Sequence, residues 1–295
     1  MCYNCADAAP ITGMLVDGLA MRHTMSSPTA YRSQDLLGFG RGVNGGADFV
    51  YDARGPRCGP SVEVNNWVDP PVAGTPRQDP TAVGLHAVGF SVPDLDATVS
   101  RLKDLGCTVI SSAPSPFGDA WISLRDPWGV VIDLVGDTSV PTETTRMRHL
   151  RGTVSGMGAS LKWYEGLGYQ VVAKADVTDG SFLGISGDVQ GHAVRLRLPD
   201  DPFEAWLIHW ETPASHGRHY VEPNHFGLYR VALCVDDTRA AYDQMLSAGW
   251  TFDRPPESVT LDGTSVPDMW ICFLRDPDGV LYEFVERPRS AFRQS

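Results

Sequence analysis

Between residues 84 and 135 the apolar positions change period along the chain. Val88, Phe90 and Val92 alternate with Ala87, Gly89 and Ser91, the period of a strand with one buried face. Pro93-Asp94 then marks a helix start. Leu95, Val99, Leu102 and Leu105 recur at helical spacing, and Gly106 is a stop signal. CTVISS, AWISL and VVIDLV follow as strands between turns that carry Pro and Gly. The segment predicts a β-α-β-β-β module.

The order recurs. Residues 227 to 286 read as VALCV, a helix from Asp237 to Gly249, then WTFD, MWICFL and VLYEFV. Residues 147 to 213 read as MRHLRGTV, a helix around Leu161 to Leu167, then YQVVAK, HAVRLRL and AWLIHW. Residues 20 to 70 are the poorest copy, with a short helix expected over Pro28 to Leu37 and few strands before Ser61 to Trp67. Literal repeats support the duplication. LRDPWGVVID (Leu124 to Asp133) returns as LRDPDGVLYE (Leu274 to Glu283), and GLHAVGFSVPD (Gly84 to Asp94) as GLYRVALCVDD (Gly227 to Asp237). MRH at 21–23 returns at 147–149, and VNNWVDPP at 64–71 resembles LIHWETPA at 207–214. The expected fold class is α+β, with consecutive modules paired into two tandem domains. The first spans 14–136 (modules 14–80 and 81–136) and the second 146–288 (modules 146–222 and 223–288). The polar run DTSVPTETT at 137–145 is the linker between them.

The chain has 295 residues, enough for two domains, and a net charge of −12, which argues against a nucleic-acid partner. No apolar run is long enough to span a membrane, and MCYNCADAAPITG lacks the order of a signal peptide, so a cytoplasmic protein is expected. Of the six cysteines, Cys58, Cys107, Cys234 and Cys272 are scattered singly and should be reduced and mostly buried. Cys2 and Cys5 form a lone CxxC. With no second CxxC to complete a metal site, a frayed tail is the expectation there.

Four such modules, two of them ending in DP-[DW]-G-x-x-x-[ED], resemble the vicinal oxygen chelate superfamily, also called the glyoxalase/bleomycin-resistance/dioxygenase family. The resemblance runs from about residue 14 to residue 288. It implies curved sheets around clefts. It also implies metal ligands, where a member keeps them, on the first strand of each module and near the end of the last. Carried over by motif, one set is His23, Ala87 and Asp133, with Glu63 as a further contributor. The other is His149, Arg230 and Glu283.

Both sets depart from the family's metal pattern, because Ala87 and Arg230 stand where a histidine is expected. A guanidinium stays protonated and does not ligate a cation, so Arg230 is expected to take the metal's place and pair with Glu283. The alternatives are a structural ion pair, a cation that holds a ligand oxygen with His149 as acid or base, and a surviving metal site. His23, Glu63 and Asp133 are the candidate metal ligands; the alternatives there are an acid-base pair without metal and a remnant that only packs. The cofactor is either none or one divalent metal (iron, zinc, manganese or nickel). Trp206, His209 and Cys234 are expected to line the second cleft. His216, His219 and His225, in the loop SHGRHYVEPNH, are expected to be solvated.

Three functions follow from the resemblance and the altered ligand sets. The favoured one is a metal-independent lyase, isomerase or cyclase of secondary metabolism. It would act by proton transfer on a small aromatic or polyketide-like compound, through His149, Arg230 and Glu283. The others are a metal-dependent dioxygenase or glyoxalase, and a protein that only sequesters a small molecule. The expected partner is a small molecule, and the chain is expected to be a monomer or a homodimer.

Overall fold

The structure is a computed structural model that describes residues 1–33, 35, 37–56, 59–260 and 268–287; Cys58 and part of the expected Pro28–Leu37 helix lie outside the described residues. The architecture is α+β, built from four modules. The first is β1 (Cys2–Cys5), α1 (Ala8–Leu19), β2 (Arg22–Arg32), β3 (Val43–Tyr51) and β4 (Ser61–Asp69). The second is β5 (Gly84–Val92), α2 (Leu95–Asp104), β6 (Thr108–Ser111), β7 (Trp121–Arg125) and β8 (Val131–Gly136). The third is β9 (Arg146–Thr153), α3 (Met157–Gly166), β10 (Gln170–Val177), β11 (Gln190–Arg197) and β12 (Glu204–Thr212). The fourth is β13 (Gly227–Val235), α4 (Thr238–Ser247), β14 (Glu257–Val259), β15 (Met269–Arg275) and β16 (Leu281–Glu286). No helix among the described residues is long and apolar enough to cross a membrane.

Local chemistry accounts for the elements that were legible. Asp94 caps α2 by accepting from Ala97 N (2.9 Å), and Asp237 caps α4 by accepting from Ala240 N (2.9 Å). The repeated DPxG is a turn clamp. Asp126 Oδ1 accepts from the N–H groups of Trp128 and Val130, and Asp276 Oδ1 from those of Asp278 and Val280. Gly129 and Gly279 adopt positive φ (100° and 86°), which a side chain would resist. Each clamp also reaches into another module. Tyr3 Oη donates to Asp126 Oδ2 (2.7 Å), and Ser155 N to Asp278 Oδ2 (3.1 Å). The retained motif is therefore architectural.

The first module departs from the expectation. It begins at Cys2, not near residue 14. Its helix is α1, and the segment expected to be helical from Pro28 continues strand β2 as far as Arg32. Cys2 and Cys5 are not a frayed tail but a buried strand, hydrogen-bonded between β13 and β4. Helix α1 was hard to see because Pro10, Gly13 and Gly18 interrupt it. Pro10 is tolerated in the first turn, where its missing N–H has no intrahelical partner to lose.

Module pairing also differs. One sheet runs β14-β15-β16-β13-β1-β4-β3-β2 and joins modules one and four; the other runs β10-β11-β12-β9-β5-β8-β7-β6 and joins two and three. In each, a module's first strand pairs parallel with its own last strand and antiparallel with its partner's first strand. The expected division at 137–145 thus joins partners instead of separating domains. A short link between β8 and β9 favours adjacent antiparallel partners. The longer links, 70–83 and 213–226, run beside each other through bridges Ala73–His225 and Ala82–His216. His219 in this clasp is buried, not solvated. It bonds Tyr229 O (2.8 Å), and burial pushes its pKa down to about 3.

Candidate functional site

The first sheet curls into an open cup. Strands as far apart as β3 and β15 line one cavity of about 930 Å³, within the range of small-molecule sites. On β4 and β16 the period of two sends Val62, Val64, Tyr282 and Phe284 to the core, leaving Glu63 and Glu283 to line the cavity. Arg230, on β13, lies between those strands. Its Nε donates to Glu283 Oε2 (2.8 Å), and its Nη2 donates to both oxygens of Glu63 (3.1 Å each). Arg230 Nη1 and Glu283 Oε1 have no hydrogen-bond partner among the described residues, and both side chains line the cavity. Burial raises the Glu283 pKa above its ordinary value. The Arg230 guanidinium opposes this, and the charge of Glu63 adds to it.

These residues do not fit a divalent metal. The guanidinium fills the space between the two carboxylates. Among the described residues no group of three or more His, Cys, Asp or Glu side chains is placed to hold an ion. His23 lies on β2, an edge strand, and not on a first strand. It is exposed, at 2.9 Å from Ser26 Oγ and 3.3 Å from Asp48 Oδ1.

The second sheet forms a filled cup. Asp133 on β8 is fully buried. Arg151 donates to both its oxygens (2.7 and 3.2 Å), Ser123 Oγ donates to Oδ1 (3.0 Å), and His149 Nε2 is 3.4 Å from Oδ2. Burial opposes the charge on Asp133. The Arg151 guanidinium and the hydrogen bonds from His149 and Arg151 outweigh it and hold the pKa low. The His149 ring stacks on Trp206 (4.1 Å between centroids, 12°) and Trp121 (5.5 Å, 16°). A Cβ at Gly89 would collide with that ring, so the bare β5 position is what admits it. Beside Arg151 and Ser123 the free space is about 20 Å³, room for roughly one water.

The expected trio is therefore divided. Arg230 and Glu283 meet with Glu63, while His149 packs with Asp133 and Trp206 in the other cup. Of the other expected lining residues, Cys234 reaches the open cavity, and His209 Nδ1 is 3.2 Å from Val154 O. The sequence reading missed Arg151, two residues after His149 in a motif already noted, and Arg32, which no repeat marks.

The family model for the Glyoxalase/Bleomycin resistance protein/Dioxygenase superfamily matches residues 46–134 and 146–284. Glyoxalase I from Zea mays is similar in fold, with a TM-score of 0.70 at 17% identity over 99% of this chain and 92% of that one. A Bacillus subtilis protein whose name gives it as a dioxygenase candidate has a TM-score of 0.62 at 14% identity, covering 100% of this chain and 89% of that one. At these identities the likeness concerns the fold alone. No curated protein matches the sequence. The chain belongs to the Glyoxalase/Bleomycin resistance protein/Dioxygenase superfamily.

Proposed function

We propose that the open cup is the active site of a metal-independent enzyme that moves a proton on a small oxygenated compound, an isomerase, lyase or cyclase in reaction type. The observation that carries this reading is the pair of unpartnered atoms on the cavity wall, Arg230 Nη1 and Glu283 Oε1. A ligand carbonyl oxygen accepts from Nη1. Glu283 removes a proton from the adjacent carbon, and the C–H electron pair becomes the enolate whose oxygen the guanidinium holds. Glu283 then returns the proton to a ligand atom, so no redox partner is needed. The raised Glu283 pKa supports this role, because it brings proton affinity closer to neutral pH. Glu63 fixes the guanidinium through Nη2 and leaves Nη1 to the ligand.

A suitable probe is 2-tetralone, an aromatic-fused ketone with exchangeable α-protons, followed by NMR in deuterium oxide. The protein should accelerate exchange over buffer. Glu283→Gln should lose about 10²-fold or more of that acceleration, and His149→Gln should retain it per folded molecule. Tight probe binding with no acceleration would favour sequestration and overturn the catalytic reading.

A further inference from the structure

The two ends of the open cavity differ. Toward β14–β16 the wall is apolar, with Val259, Met269, Ile271, Phe273 and Val285. Toward β2–β4 it is polar and carries the guanidinium of Arg32; the other arginines of the lining are Arg230 and, just past β16, Arg287. Arg32 Nη2 donates to Ser27 Oγ (2.7 Å) and Nη1 to Gly45 O (3.4 Å). Both acceptors are neutral, and no carboxylate pairs with Arg32 among the described residues. The side chain is thus oriented without being neutralised. Arg230, in contrast, already carries two carboxylates.

The surroundings of Arg32 suit a ligand oxygen. Trp67, on the same part of the wall, is buried, and its indole N–H has no acceptor among the described residues. Beneath them β3 is bare. A Cβ at Gly45, which shares the cavity face with Val43 and Ala47, would lie 2.6 Å from Asn66 O, so a side chain there would crowd the corner. A half-buried guanidinium held by neutral groups is short of a counter-charge, and a ligand carboxylate supplies one with matching planar geometry. β2 and β13 are four strands apart, about 19 Å along the sheet by strand spacing. The two side chains and the curl shorten that span to the scale of a molecule of two or three rings.

We propose that Arg32 is a carboxylate subsite, and that the natural ligand is an aromatic acid whose reactive oxygen lies at Arg230 and whose carboxylate lies at Arg32. This inference rests on the open cup being the substrate site. It adds the acid class and a residue that selects it.

The test compares 6-hydroxy-2-naphthoic acid with 2-naphthol, which lacks the carboxylate, by calorimetric titration at low salt and about pH 8, above the carboxylate pKa. The wild-type protein should prefer the acid by about tenfold or more. Arg32→Gln should bring the ratio of the two affinities close to one, and Arg32→Lys should restore part of it. Arg230→Gln should weaken both compounds. An unchanged ratio in Arg32→Gln would overturn the subsite while leaving the open-cup reading intact. Equal affinity of both compounds for the wild type would do the same. If neither compound binds the wild type at about 1 mM, or Arg230→Gln weakens neither, both readings fall.

Discussion

Arg230→Met is expected to destabilise the protein by about 3–5 kcal/mol near neutral pH, with the loss shrinking as the solution is acidified. Arg230 is the guanidinium that bonds both Glu63 and Glu283, and removing it leaves two carboxylates close together on the cavity wall. The sign of the pH effect follows from Glu283, whose pKa in the folded protein already lies above its ordinary value. Without the guanidinium it rises further. A carboxyl that binds its proton more tightly when folded stabilises fully below the unfolded pKa. That stability is lost as pH rises toward and through the folded value. The variant should therefore approach wild-type stability near pH 4.5 and fall away at higher pH, as read by urea unfolding across that range. The triple variant Arg230→Met, Glu63→Gln, Glu283→Gln should recover much of the loss, because no buried carboxylate is then left without its guanidinium. Wild-type stability of Arg230→Met at about pH 8 would mean that the three side chains do not act as one ion cluster.

Asp133→Asn is the second large effect. It should cost about 3–5 kcal/mol, because the buried Arg151 guanidinium loses the counter-charge it bonds at 2.7 and 3.2 Å, and one of the two oxygens that Arg151, His149 and Ser123 share becomes an amide NH2 that cannot accept. The folded Asp133 pKa is held below its ordinary value, so the contribution is present above about pH 4 and is lost as pH falls through the folded value. The gap between wild type and variant should therefore close only in strong acid. The folded fraction should still exchange 2-tetralone protons at the wild-type rate, since Asp133 belongs to the filled cup. A folded Asp133→Asn protein without exchange activity would place the chemistry in the wrong cup here. Thermal melts and NMR on one sample separate the two outcomes.

The sequence revealed most of the fold and only part of the site, for physical reasons. Modules two to four were legible because each repeats the order of strand, helix and further strands, and modules two and four carry an acidic helix start. DPxG was legible because that turn chemistry places a carboxylate against the two amides that flank a glycine at positive φ. The first module hid behind a four-residue strand and a helix broken by Pro10, Gly13 and Gly18. MRH at 21–23 then misled, because His23 matches His149 in letters but not in topology: one lies on an edge strand, the other on a central one. The Arg230–Glu283 pair could be read because strand alternation and the two DPxG repeats fix which residues share a face. Its partnership with Glu63 could not. It depends on β1 lying between β4 and β13, a contact between modules at opposite ends of the chain that no local pattern encodes. The filled cup was equally hidden, since the stacking of His149 on Trp206 and Trp121 draws on three strands of two modules.

In the cup that has room for a ligand, Arg230 stands between two carboxylates where the family resemblance expects a metal. The most direct measurement is the metal content, by elemental mass spectrometry, of protein purified without added metal or chelator, repeated after reloading with iron, zinc, manganese and nickel. An Arg230-centred cup predicts far less than one metal per chain in both preparations, with wild-type exchange activity unchanged by reloading. About one tightly held metal per chain, with activity that follows its removal and return, would contradict it.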